Sequence, residues 1–490
     1  METTTLPDGD ACYRALETHD VRFDGQFFVG VATTGIYCRV VCPAKTPRRE
    51  NCTFYPSAAA AERAGHRPCL RCRPELAPGC ARVDAAERLA SAAASRIEDG
   101  ALTEKSVEAL AAELGVSDRH LRRVVEDAFG VSPVELAQTQ RLLLAKRLLT
   151  DTALPVTEVA YASGFASLSR FNTLFRDRYR MNPTDLRRQA SAGGAAVAKD
   201  RAETLRCEIA YRPPLDWPGL LAFVAGRASR GVESAGEGGT YRRTARVGKL
   251  RGWLTVAPSA RRADTLTVEV SASLAPALPA VLSRVKRLFD LAAEPRRIAA
   301  HLGPLAAENP GLRVPGAFDP FEMAVRAVLG QQVSVKAATT LSGRFAAALG
   351  DPIETPYPEL SHLSPTPERV AATESEQLTA LGITRARVAT ILALARAVSD
   401  GDLSLEPGGD PAATVTCLKD LPGIGEWTAQ YVAMRALSWP DAFPHTDLGV
   451  YKALGTRDPK RVLEIAEAWR PWRAYAVMHL WKSLEEEIER

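Results

Sequence analysis

At 490 residues the chain is too long for one hydrophobic core, and two to four domains are expected. Its composition, 46% hydrophobic and 24% charged, is ordinary for a globular chain, and a net charge of only +4 means that any nucleic-acid surface must be a local patch. No apolar run is long enough to span a bilayer and the N-terminus shows no charged-then-apolar signal pattern, so no membrane contact or secretory role is expected.

In chain order, residues 1–82 come first. Seven of the nine cysteines lie before residue 81, with only Cys207 and Cys417 beyond. Cys38-x3-Cys42 and Cys69-x2-Cys72 are two close pairs separated by 26 residues. Four thiolates around one ion form the tetrahedral set that zinc accepts, and on spacing alone a purely architectural zinc site fits as well. Cys12, Cys52 and Cys80 are read as core or surface residues, because the ligand set is complete without them.

The flanking residues add more. Thr33-Thr34-Gly35-Ile36-Tyr37-Cys38-Arg39, Cys42-Pro43-Ala44-Lys45 and Arg67-Pro68-Cys69-Leu70-Arg71-Cys72-Arg73-Pro74 resemble the N-terminal domain of the Ada family. That resemblance implies that the zinc-bound thiolate of Cys38 takes a methyl group, stoichiometrically and irreversibly, from a methylated DNA phosphate. It also implies phosphate contacts from Thr34, Lys45 and Arg67, while Pro43 stands where a basic residue is sometimes found. Methylating one sulfur removes one negative charge facing the DNA backbone. At water-like screening this relieves about 0.5–1 kcal/mol per nearby phosphate. The expected zinc is thus a single ion, both structural and thiolate-activating.

Residues 83–188 have helical periodicity. Leu110 to Ser117 reads as helix, glycine turn and serine cap, followed by a helix from Asp118 to Asp127 carrying Arg119, His120, Arg122 and Arg123. A second unit runs Val156–Ala162, Ser163-Gly164-Phe165, then Ser167 to Arg178, with Ser169, Arg170, Asn172, Thr173 and Arg176 on its second helix. Side chains of these types reach bases and phosphates from a major-groove helix, although each arginine also suits a solvated face. The run Gly164-Phe165-x-Ser167-x-Ser169-x-Phe171-x3-Phe175, closing at Asn182-Pro183, resembles the AraC-type regulators. The resemblance implies two helix-turn-helix units joined by a long helix, here about 132–150. Arg119, Arg122, Arg170 and Asn172 are the expected DNA contacts.

Residues 189–204 are Ala/Gly-rich and read as a linker. Residues 205–285 read as β-rich, with alternation as in Leu266-Thr267-Val268-Glu269-Val270, and 286–490 read as helical. Within the last segment, Leu421-Pro422-Gly423-Ile424-Gly425-Glu426-Trp427 places two glycines between helices. Such a hairpin lets backbone N–H groups approach a phosphate, with the next helix N-terminus adding a favourable dipole. Asp447 follows within Pro444-His445-Thr446-Asp447-Leu448-Gly449, where it also suits the cap of a helix beginning at Leu448.

Together with Tyr211-Arg212-Pro213-Pro214-x-Asp216-Trp217, Phe223-x3-Arg227, the stretch from Phe321 to Ser334 and Trp469-Arg470-Pro471-Trp472, these residues resemble AlkA-type 3-methyladenine DNA glycosylases over about 205–485. The resemblance implies a flipped-out alkylated base held by Phe223, Trp427, Tyr431 and Trp472. It makes Asp447 the catalytic carboxylate, Gly423 and Gly425 the DNA-binding hairpin, and Gln332 the residue at the wedge position. Trp427 occupies the place of a nucleophilic lysine in strand-cleaving relatives, which implies simple hydrolysis with no cofactor for the glycosylase step.

The expected fold is therefore multidomain and mainly α with α+β parts. It comprises a small zinc domain, an AraC-type helix-turn-helix pair, a small antiparallel β/α domain and helix-hairpin-helix glycosylase helices. Double-stranded DNA, as alkylated lesions and promoter sites, is the expected partner, with RNA polymerase as a further one; the expected location is cytoplasmic and nucleoid-associated. Two other readings remain: a regulator whose glycosylase-like part only binds damaged DNA, and an N-terminal zinc that is purely structural. No Pro-Cys-His-Arg acceptor motif occurs, so repair at guanine oxygen is not expected.

Overall fold

The computed structural model describes residues 8–20, 23–77, 85–152, 154–192 and 204–489. The chain forms two compact units. One holds the residues up to Arg212 together with Ser259–Ser283, and the other holds Pro213–Pro258 with Arg284–Arg490. None of the described helices is long and apolar enough to cross a membrane.

The first unit opens with helix Gly9–Glu17, followed by a four-stranded sheet in the order β3-β1-β2-β4, made by β1 (Phe28–Val31), β2 (Ile36–Arg39), β3 (Cys52–Tyr55) and β4 (Arg67–Pro68). β1 and β2 form a hairpin whose turn includes Gly35 in the left-handed region, φ 61°. On one side of the sheet Cys12, Leu16, Phe27, Val29, Val40 and Cys52 form an apolar core. Cys12 and Cys52 are thus packing residues, as expected, and Cys80 lies outside the described residues.

The helical region follows. Ser117 caps helix Asp118–Phe129 and Ser167 caps helix Leu168–Tyr179, each side chain accepting from the backbone N–H three residues on. Gly115 (φ 69°) and Gly164 (φ 80°) make the turns before them. Ser132 and Glu135 form a reciprocal capping box that starts the 19-residue helix Pro133–Asp151, the expected long connection. Leu110, Leu121, Val125, Val131 and Leu136 fill the first helical core. Phe165, Phe171, Phe175 and Tyr179 pack in sequence in the second, tilted or edge-to-face with adjacent ring centres 4.8–5.5 Å apart. The last helix, Pro183–Ala192, runs past residue 188 into the stretch expected as a linker, and 193–203 lie outside the described residues.

The strands expected within 205–285 divide between the two units. β5 (Thr204–Ala210) and β9 (Thr265–Ser271) pair antiparallel residue by residue, Leu205 against Val270 and Ile209 against Leu266, and belong to the first unit. There Arg147 donates to the Glu208 carbonyl and Arg212 to the Asp24 carbonyl, which ties β5 and its end to the helical and cysteine regions. In the second unit β6 (Glu233–Ala235), β7 (Tyr241–Val247) and β8 (Leu250–Pro258) form an antiparallel meander. Helix Trp217–Ala225 and helices Pro320–Leu329, Val335–Leu349, Arg385–Ser399, Pro411–Asp420, Glu426–Arg435, Leu448–Leu454 and Arg473–Glu489 are among the helices of that unit.

Candidate metal centre, DNA-binding helices and base-excision site

The two cysteine pairs meet because β2 and β4 run side by side. Tyr37 pairs with Pro68, and the Cys69 amide donates to the Tyr37 carbonyl at 3.0 Å, which sets the second pair against Cys38. The Sγ atoms of Cys38, Cys42, Cys69 and Cys72 all lie within 4.8 Å of one another. That spacing suits four ligands on one tetrahedral zinc. Contact with Cys42 and Cys69 pushes the Cys38 thiol up, and contact with Cys38 and Cys42 pushes Cys72 up, while Cys42 and Cys69 are pushed down. Four sulfurs this close cannot all ionise unaided, and a dication removes that conflict. Cys38 is half-buried, whereas its three companions are buried.

The ligand loop is anchored from both sides. The Arg39 amide donates to Cys72 Sγ at 3.3 Å, and its guanidinium holds the Cys72 carbonyl at 3.2 Å and pairs with Asp24. Beyond Cys72, Arg73 pairs with Glu75 at 2.9 Å and with Asp151 at 2.6 Å, and Lys146 meets Glu75 at 2.6 Å with both side chains 2% exposed. Asp151 and Lys146 lie on helix Pro133–Asp151. Buried Glu75 remains ionised: burial alone would raise it, but Lys146 and Arg73 hold it down to about 2. Thr34 and Lys45 are exposed and Arg67 is half-buried, with Thr34 in the β1–β2 turn and Arg67 on β4 opposite Ile36.

Glu62 is a second link between these regions. Tyr37 and Thr139 each donate to its carboxylate, at 3.0 and 2.9 Å. Burial pushes Glu62 up to about 7 against those hydrogen bonds. Because the folded value lies above the unfolded one, this group contributes stability below about pH 4.5, and that contribution is lost as pH rises through 7. Glu62→Gln is expected to remove that slope and to gain on the order of 2–3 kcal/mol at pH 8, read by urea unfolding at pH 5 and pH 8. A loss of stability for the variant at pH 8 contradicts this.

On the helix-turn-helix units, Arg119, Arg170 and Asn172 are exposed on helices Asp118–Phe129 and Leu168–Tyr179. Arg122 differs. It is held by Asp118 at 2.9 Å and Glu108 at 3.2 Å, so it must leave two carboxylates to reach a phosphate.

In the second unit the glycine hairpin joins helices Pro411–Asp420 and Glu426–Arg435. Gly423 has φ 80°, and a Cβ there would meet Thr390 Oγ1 at 2.2 Å; Gly425 has an ordinary φ of −89° and open space. Gln331 donates to the Gly423 carbonyl at 2.9 Å and to Thr428 at 3.0 Å, tying the hairpin to the turn that presents exposed Gln332 at φ 52°. Gly423→Ala is expected to cost roughly 1–3 kcal/mol of stability. Gly425→Ala is expected to fold as wild type but to weaken DNA binding, because a methyl group stands where a phosphate would approach. Thermal unfolding and a filter-binding titration separate the two, and equal effects of the two substitutions would contradict the assignment.

Asp447 is the N-cap of helix Leu448–Leu454. Its Oδ1 accepts from the amides of Gly449 and Val450 at 2.8 and 3.0 Å. Two indoles complete its shell: Trp427 Nε1 donates to Oδ2 at 2.8 Å and Trp481 Nε1 to Oδ1 at 2.9 Å. The cap expected for Asp447 is thus present, and it fixes the side chain's orientation while leaving it half-buried.

Trp427 and Tyr431 stack at 5.2 Å and 9°. Trp481 lies 6.3 Å from both Tyr431 and Phe223, nearly parallel to the latter. Phe223, Trp427 and Tyr431 are thus brought together. Trp472 is not: it is buried edge-to-face on Tyr475, 5.7 Å away, and the second indole at Asp447, beside that of Trp427, is that of Trp481. Sequence reading missed Trp481. The available signal was Gly449, since a Cβ there would come within 2.9 Å of the Trp481 ring.

Comparison with known proteins agrees region by region. Residues 11–75 match the metal binding domain of Ada, 110–189 a helix-turn-helix domain, 206–319 the AlkA N-terminal domain, and 325–468 the HhH-GPD superfamily of base excision DNA repair proteins. DNA-3-methyladenine glycosylase 2 of Escherichia coli is 39% identical over 271 residues, 55% of this chain and 95% of that protein. The bifunctional transcriptional activator/DNA repair enzyme Ada of the same organism is 30% identical over 212 residues, 43% of this chain and 58% of that one. A Mycobacterium tuberculosis protein described as a probable bifunctional transcriptional activator/DNA repair enzyme AlkA is 38% identical over 493 residues, covering 99% of this chain and 98% of its own. The chain belongs to this family of fused AlkA-type transcriptional activator/DNA repair proteins, with a zinc-binding Ada module, helix-turn-helix DNA-binding units and a helix-hairpin-helix glycosylase in one polypeptide.

Proposed function

We propose that the chain is a monofunctional DNA-3-methyladenine glycosylase fused to a zinc–thiolate sensor of DNA methylphosphotriesters and a promoter-binding regulator. The convergence of four N–H donors on Asp447 beside stacked aromatic rings carries the reading. An alkylated purine flipped from the duplex would lie against electron-rich rings, which favour a cationic base by roughly 1–3 kcal/mol per ring. As the C1′–N bond breaks, its electron pair stays on the base and positive charge develops on the sugar. The fixed Asp447 carboxylate stabilises that charge and holds the water that adds to C1′. Trp427 supplies no amine, so the product is an abasic site in an unbroken strand.

In the sensor, Cys38, Cys42, Cys69 and Cys72 would hold one zinc ion, which would keep their sulfurs deprotonated at neutral pH. Half-buried Cys38 is the acceptor: its sulfur bonds the methyl carbon, the carbon–oxygen bond breaks, and the phosphate regains its negative charge. The product has one less thiolate charge facing DNA, which strengthens binding about 10- to 100-fold over two or three phosphates. Arg119, Arg170 and Asn172 read the promoter, and RNA polymerase is the partner on that nucleoid-bound complex.

The test is the release of 3-methyladenine from methylated duplex DNA, with the product strand checked for breaks, together with intact-mass analysis of the protein. Base release without nicking and a single added methyl that Cys38→Ser abolishes are the expected results. A folded protein that binds alkylated DNA but releases no base leaves only the binding reading.

A further inference from the structure

The aromatic cluster has a charge imbalance that the proposed reaction does not use. Trp427, Tyr431 and Arg435 lie four residues apart along helix Glu426–Arg435, so Asp447 stands at one end of this row and Arg435 at the other. Arg435 is 2% exposed. Its guanidinium donates to Tyr431 Oη at 2.8 Å, to the Pro315 carbonyl and to the Gly316 carbonyl at 3.5 Å, and none of the described carboxylates pairs with it. It lies 5.1 Å from the Phe223 ring centre and 5.6 Å from that of Tyr431. Arg227 lies over Phe223 at 3.7 Å and donates to the Phe223 carbonyl, again with no carboxylate among the described residues.

The neighbouring buried cations are matched. Arg243 pairs with Glu322, and Arg326 with Glu233 and Glu322. Two guanidiniums are therefore uncompensated at the end of the cluster remote from Asp447. Burial raises the Tyr431 phenol, but Arg435, Arg227 and Arg326 outweigh it and hold it below its ordinary value, which is the sign of a net positive field there. A guanidinium keeps its charge at neutral pH even so placed.

A field of that sign treats damaged bases unequally. A purine alkylated at a ring nitrogen arrives as a cation and becomes neutral when the C1′–N electron pair passes to it. An uncharged damaged base becomes an anion in the same step, until water supplies a proton. We infer that Arg435, assisted by Arg227, is a specificity-determining residue of the glycosylase: its uncompensated charge assists departure of uncharged damaged bases and disfavours entry of cationic ones. The inference rests on the proposed glycosylase reading.

The test uses the full chain and duplexes carrying 7-methylguanine, which is cationic, or hypoxanthine, which is uncharged, under single-turnover conditions. For Arg435→Met the ratio of cationic to uncharged base release is expected to rise about 10-fold or more, the scale of one charge at this range in a partly screened site. Arg435→Lys, which keeps the charge, should stay within about threefold of wild type. Arg227→Met should move the ratio in the same direction, and it decides the matter if Arg435→Met does not fold. Equal loss of both rates with an unchanged ratio in the folded variants overturns the inference and leaves the glycosylase reading intact. Release of neither base by wild type overturns both.

Discussion

Asp447→Asn is expected to lower single-turnover release of 3-methyladenine by at least about 100-fold, at a cost of only about 0.5–1.5 kcal/mol of stability for the lost Trp427 hydrogen bond. Asparagine is as good an N-cap as aspartate, and its oxygen can still accept from Gly449 and Val450. Its amide nitrogen, however, cannot accept the Trp427 N–H, and the negative charge facing the sugar is gone. Asp447→Ala removes the cap as well, so it should lose the same activity and also about 1 kcal/mol of stability. If the asparagine variant retains near-wild-type release, the carboxylate is a helix cap and no more. If it loses activity only in proportion to a lowered melting temperature, the effect is structural.

Removing zinc is expected to disorder more than the cysteine cluster. Without a dication the four sulfurs cannot all remain ionised within 4.8 Å, and the turns carrying Cys42 and Cys72 lose their common anchor. Arg73 and Glu75 follow directly, and with them the ion pairs to Asp151 and Lys146. Breaking a buried pair by displacing one partner costs about 3–5 kcal/mol, because the other charge is left behind in the interior. Chelation should therefore strip amide-exchange protection from β1–β4 and also from helix Pro133–Asp151, and re-addition of zinc should restore both. Protection lost in the strands alone would show that the helix stands independently of the metal loop.

The features legible in the sequence were those set by neighbours along the chain. The zinc ligands are two tight local pairs, the helix-turn-helix units carry glycine turns and serine caps, and the helix Val156–Ala162 has the bounds that its apolar spacing suggested. Asp447 and Trp427, twenty residues apart, were found by motif. What escaped depends on packing between distant segments. Trp481 reaches Asp447 from 34 residues away only because helix Arg473–Glu489 lies against helix Leu448–Leu454, while Trp472 precedes that helix and turns into the core. The engagement of Arg122 by Glu108 depends on how two helices cross, and periodicity in either helix alone does not report it. The residue-by-residue pairing of β5 with β9 joins positions some sixty apart, which alternation within either strand does not report.

The ion pairs from the metal loop to helix Pro133–Asp151 have a consequence for how damage is read along a duplex. That 19-residue helix spans about 28 Å and joins the two helix-turn-helix units. With Glu75 fixed to Lys146 and Arg73 to Asp151, the cysteine cluster is tied to the helix that joins the two helix-turn-helix units. If Cys38 is the methyl acceptor proposed above, the fold acts as a ruler: a methylated phosphate would count only when it lies at one mark relative to the bases that the two helices meet.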